Sequence, residues 1–130
     1  MIRSLGRSGA APLMQDVVCS WRGSVMSKYY PERIRALPGF EGPFDAHKLK
    51  AQGCDVLFAS YPAGTVIDPH THETDNVGII TQGELILIMD GKTERISAGN
   101  WYHVPANKEH AAKFEVETFE IEFWFNEKNT

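Results

Sequence analysis

From Cys54 onward the chain runs in short apolar segments of strand-like period, broken at intervals by glycine, proline or asparagine. CDVLFASYP is closed by Pro62–Gly64, and NVGIITQG ends at Gly83. ELILIM is joined to the next run by Asp90–Gly91, a two-residue hairpin signal. Gly99–Asn100 supplies a further turn, WYHVP ends at Pro105, and PANKE reads as a turn into HAAKF. The last run, VETFEIEFWF, alternates. Phe119, Ile121, Phe123 and Phe125 share one face, and Glu120, Glu122 and Trp124 share the other. Short strands and turns from Cys54 to Phe125 predict an all-β antiparallel sandwich or barrel.

Upstream the pattern is weaker. YYPERIRALPG predicts one short helix, with Pro31 in its first turn and Pro38–Gly39 ending it. FDAHKLKAQG fits either a short helix capped by Asp45 or an edge strand. Residues 1–28 read as an extension outside the folded domain, which occupies 29–130. Arg3 and Arg7 among small residues, with no acid before Asp16, resemble an organelle leader. A disordered tail, or an over-long start with Met14 and Met26 downstream, fits that composition equally well.

Composition adds boundaries more than detail. A chain of 130 residues is one domain able to bury its own core. The net charge of −4 argues against a nucleic-acid surface, and no apolar run is long enough to span a bilayer. Cys19 and Cys54 form no CxxC pair and suggest no disulfide scaffold, so the cytoplasm is the expected compartment.

The candidate chemistry lies between Gly64 and Gly83. His70 and His72 are one residue apart, so on a strand both imidazoles face the same side and can converge on one ion. Two nitrogens make a weak site, and His110 is the candidate third. The first block reads G-x5-H-x-H-x3-N-x6-G, through His70, His72, Asn76 and Gly83. A second, from Gly99, reads G-x5-P-x-N-x2-H, through Pro105, Asn107 and His110. Together these blocks resemble the two motifs of the cupin superfamily, in its small single-domain form. The resemblance implies a double-stranded β-helix, or jelly roll, and a homodimer paired through outer strands. It also implies one divalent metal (Fe, Ni, Zn or Mn) held by His70, His72, Asn76 and His110.

Three positions depart from the family pattern. Asn76 stands in place of a glutamate, Asn107 in place of a turn glycine, and Phe114 in place of a closing asparagine. Asn107 is able to adopt the left-handed conformation, and Phe114 removes one polar group near a strand end. Asn76 matters more, because an amide oxygen is a neutral and weaker ligand than a carboxylate. With three neutral imidazoles the ion keeps nearly its full charge, which favours a small anionic partner. Among cupins with an amide at that position, the resemblance points to sugar-acid enzymes that open the ring of an unsaturated uronate. An Fe(II) three-histidine dioxygenase and a non-catalytic ligand-binding or sensor module are the alternatives.

Other residues carry bland expectations. Glu120 and Glu122 read as a surface pair, the rival being that one of them lies inside the barrel as a general acid or base. Tyr61, Tyr102 and Trp124 read as core aromatics, Glu73 and Asp75 as solvated, and His47 and His103 as lying outside the site.

Overall fold

The computed structural model describes residues 29–126; the expected extension over 1–28 lies outside them. One helical turn, α1 (Glu32–Arg35), follows Pro31, whose fixed φ suits the start of a helix. It precedes β1 (Asp45–Ala51), β2 (Cys54–Tyr61), β3 (Thr65–His70), β4 (Asp75–Gln82) and β5 (Glu84–Met89). After these come β6 (Lys92–Ser97), β7 (Trp101–Val104), β8 (His110–Phe114) and β9 (Thr118–Phe125). The ambiguous FDAHKLKAQG segment is therefore a strand, β1, at an edge of its sheet.

Two antiparallel sheets face each other, ordered β1-β2-β9-β4-β7 and β3-β8-β5-β6. Neighbours in the sheets are distant in sequence, so the chain crosses repeatedly between layers, as in a jelly roll. The β5–β6 hairpin turns on Asp90 and Gly91, with φ of 57° and 72°. Positive φ at both central residues is the turn that matches strand twist. Gly83 has no substitute, since a Cβ there would lie 2.4 Å from the Glu117 carbonyl at a φ of +89°. No helix among the described residues is long and apolar enough to cross a membrane.

Leu57, Ala59 and Tyr61 of β2, Ile80 of β4 and Val104 of β7 pack across the interlayer space. They face Leu85 and Leu87 of β5 and Ala112 and Phe114 of β8. Phe114, expected merely to remove a polar group, is buried and stacks on Tyr61 with ring centroids 4.0 Å apart. Truncating such a ring to alanine costs about 3–5 kcal/mol, so this departure from the family pattern belongs to the core.

Strand β9 overturns the expected inside and outside. Its alternation is real, but Glu120 and Glu122 point inward and are 1% and 4% exposed. The apolar set Phe119, Ile121, Phe123 and Phe125 lies on the outer face. Tyr29 covers part of that face, stacking on Phe119 at 4.0 Å. Beside it the Tyr30 hydroxyl, 2.8 Å from the Ala59 carbonyl and 2.9 Å from that of Glu120, donates to this pair. An apolar face on a central strand can thus be covered from outside, which leaves the polar face for the interior.

Candidate metal centre

His70, His72 and His110 come together at one end of the space between the sheets. His70 ends β3 and His110 begins β8, directly opposite it in register. A register shift between Ile67 and His70, around Pro69, turns the end of β3 toward its partner. His72 lies just past the strand, so the pair straddles a strand end rather than sitting mid-strand. Its backbone is held from the second block: the Asn107 N–H donates to the His72 carbonyl at 2.6 Å. Asn107 makes that turn with φ of 64°, the left-handed conformation expected of it.

One ligand nitrogen from each ring lies within 4.8 Å of the others. The His70 and His72 Nε2 atoms are 3.0 Å apart. Two nitrogens bound at about 2.0–2.1 Å to one ion and near a right angle are separated by about that much. The other ring nitrogens of His70 and His110 are occupied. His70 Nδ1–H donates to the Asp68 carbonyl at 2.7 Å, and His110 Nδ1–H to the Lys108 carbonyl at 2.9 Å. Those bonds fix the tautomers so that Nε2 carries the free lone pair, the usual way a protein orients imidazole ligands. Burial, then the neighbouring His70 and His110, push the His72 imidazole down to about 4. Burial likewise holds His110 below the usual histidine range. Neutral imidazoles with convergent lone pairs are what a divalent ion requires, and this donor set fits one.

Asn76 is buried in β4 and lines the same cavity. Its Oδ1 accepts from the Thr74 hydroxyl at 2.6 Å, which leaves one lone pair on that oxygen. Among the described residues no carboxylate joins the three histidines to form the cluster.

The cavity behind the histidines has a volume of about 380 Å³, and Glu120 and Glu122 line its inner part. Tyr102 donates to Glu120 at 2.5 Å. Glu122 accepts from Tyr61, and from Trp124 Nε1 at 2.9 Å. Burial raises both carboxyls, Glu120 well above the carboxylate range, and the charge of Glu122 raises Glu120 further. Donors from Tyr61 and Trp124 oppose the rise at Glu122, so Glu120 keeps its proton longer and gives it to Glu122 in their mutual hydrogen bond. Tyr61, Tyr102 and Trp124 are cavity-lining groups as well as core aromatics. His47 and His103 stay outside, His103 pairing with Asp75 at 2.7 Å, while Glu73 is exposed.

Gly78 was no candidate from the sequence, yet it makes room for this network. A Cβ at that position would lie 2.5 Å from the Tyr102 ring. Gly78→Ala should therefore push Tyr102 off Glu120 and cost about 1–3 kcal/mol, read as a lowered denaturation midpoint. In a Tyr102→Leu background the same change should cost little. An equal cost in both backgrounds would mean that the clash lies elsewhere.

A two-sheet jelly roll with three imidazoles converging at one end defines a β-barrel protein with a candidate metal site. The chain belongs to the cupin family: the family profile described as "Cupin domain" matches residues 57–123. No curated protein matches in sequence. Solved structures do match in fold. An RmlC-like cupin from Shewanella frigidimarina is 17% identical with a TM-score of 0.63, over 73% of this chain and 88% of that one. KdgF from Halomonas sp. is 19% identical with a TM-score of 0.62, over 73% and 91%. A putative ethanolamine utilization protein Q from Salmonella typhimurium is 15% identical with a TM-score of 0.61, over 71% and 80%. At these identities the likeness is one of fold.

Proposed function

We propose that the chain is a metal-dependent cupin enzyme acting on a small anionic substrate. His70, His72 and His110 hold the ion, and Asn76 is the fourth ligand through the lone pair that Thr74 leaves. The observation that carries the reading is that the histidines and the buried Glu120–Glu122 pair line a single cavity. A bound divalent ion (Fe, Ni, Zn or Mn) would supply Lewis-acid polarisation of a substrate oxygen. The residues do the rest. Glu120 holds the transferable proton, and Glu122 takes that proton's hydrogen bond and keeps Glu120 in place. Tyr102 and Tyr61 fix the two carboxyls, and the surrounding apolar side chains exclude water. The proposal takes the protein as a cytosolic homodimer. Exposed Trp101 and Phe125, on the outer face of the five-stranded sheet, support pairing there.

Ring opening of an unsaturated sugar acid is the instance to assay first, because it combines a carboxylate with a proton transfer. An Fe(II) three-histidine dioxygenase is the second reading, supported by the hydrocarbon wall of the cavity. The test is metal analysis of protein purified without chelators, followed by anaerobic turnover of unsaturated galacturonate with each of the four metals. Oxygen uptake with iron alone would select the second reading. Saturable binding with no turnover under any metal or oxygen condition would leave a ligand-binding module.

Asn76→Glu probes the charge argument separately. Adding a carboxylate should tighten metal binding and weaken anion binding, each by roughly tenfold. Calorimetric titration that finds stronger anion binding instead would sink the neutral-ligand reading.

A further inference from the structure

The cavity wall beyond the histidines is aromatic and continuous. Phe114 stacks on Tyr61 at 4.0 Å, and Tyr61 meets Phe44 at 4.6 Å. Phe44 meets Phe40 at 5.1 Å, and Phe40 meets Trp124 at 5.7 Å. Trp124 in turn lies 4.9 Å from His72, so the run of rings ends at the metal centre. Facing it, Ile67, Leu85, Leu87 and Ala112 come from the four-stranded sheet. Most of the surface open to the cavity is hydrocarbon.

Glu41 and Asp68 line the cavity from exposed positions, and the buried polar side chains deeper along the wall are engaged. Tyr61 and Trp124 donate to Glu122, Tyr102 donates to Glu120, and Thr74 donates to Asn76. Among the described residues that line the cavity there is no lysine or arginine. A polyhydroxylated molecule entering this space would give up its water and find few partners for its hydroxyls. A flat apolar body would gain dispersion and stacking along the ring run. A negative oxygen has one favourable place, the histidine end where the ion would sit, since no lysine or arginine among the described residues lines the rest of the cavity.

We infer that the cavity takes a flat, conjugated or aromatic oxyacid, phenolate or enolate. Its single oxyanion faces His70, His72 and His110, and its apolar body lies against Phe40, Phe44 and Trp124. This rests on the proposed function for the metal end, and at the substrate it favours an apolar-bodied oxyanion over the sugar acid named there as the first assay. The size agrees: about 380 Å³ is toward the small end of the range of small-molecule sites, suited to one or two fused rings.

The experiment compares two carboxylates of equal charge, trans-cinnamate and galacturonate, binding to the full chain loaded with Zn(II). Calorimetry or quenching of tryptophan fluorescence reads the affinity. Cinnamate should bind at least tenfold tighter, and Phe40→Ala should reduce that preference several-fold with metal content unchanged. Phe44→Leu, which keeps the volume and removes the ring, should do the same if the alanine variant folds poorly. Equal or tighter binding of galacturonate would overturn the inference, as would a cinnamate affinity untouched by both substitutions. Metal content of the same samples reports on the proposed function alone. A site that holds no metal while cinnamate is still preferred sinks that reading and supports the apolar-body inference.

Discussion

His72→Ala protein should purify with little or no metal, keep the jelly roll, and lose turnover by about a thousandfold or more. The reason is geometric. His70 and His110 pair across two strand ends, whereas His72 is held by the turn of the second block through the Asn107 N–H. Removing its ring leaves two nitrogens, and two neutral nitrogens with one amide oxygen make a weak site for a first-row ion. The fold should survive, because His72 lies beyond the end of β3 and is only partly buried. Elemental analysis and circular dichroism on the same sample check both halves. Unchanged metal occupancy would remove the assignment, and lost β-signal would mean that His72 is structural.

The histidine cluster was the most legible part of the sequence. Spacing within two glycine-bounded blocks is a local property, and a strand end or tight turn converts it directly into position. His70, His72 and His110 accordingly meet as expected, and Asp90–Gly91 and Asn107 make the turns assigned to them. Which way β9 faces was illegible for a physical reason. Alternation gives two faces but not which of them is inner, and the usual rule puts the apolar one inside. Here Tyr29 and Tyr30 cover part of the outer face, and two carboxyls with their tyrosine partners fill the interior one. A hint was available in the composition: Glu120 and Glu122 share their face with Trp124, a poor companion for a solvated pair. Gly78 left no local signal at all, because its role depends on a ring from β7, the neighbouring strand.

Glu120→Gln should lower turnover by about 10²–10⁴-fold while leaving metal content unchanged, and should make the protein more stable as pH rises. The amide oxygen still accepts from Tyr102, and the amide N–H replaces the donor that Glu122 receives, so packing and geometry are kept. What disappears is the transferable proton. The sign of the stability effect follows from the carboxyls being raised above their ordinary value of 4.5. Below 4.5 the folded and unfolded chains are equally protonated and the pair's contribution is fully present. Above it the unfolded chain releases protons that the folded pair retains, so stability falls as pH climbs toward the folded values. Glutamine removes one of those groups from the balance. Well below pH 4.5 the variant and the parent should therefore melt together, and by pH 8 the variant should melt about 4 °C or more higher, on the order of 1 kcal/mol. Thermal melts of the metal-free proteins across that range decide the matter. Parallel curves would mean that the pair ionises as freely folded as unfolded, and the proton store at Glu120 would fail with it. A variant that melts higher at pH 8 yet keeps full turnover would separate the two halves, leaving Glu120 a buried acid whose proton the reaction does not use.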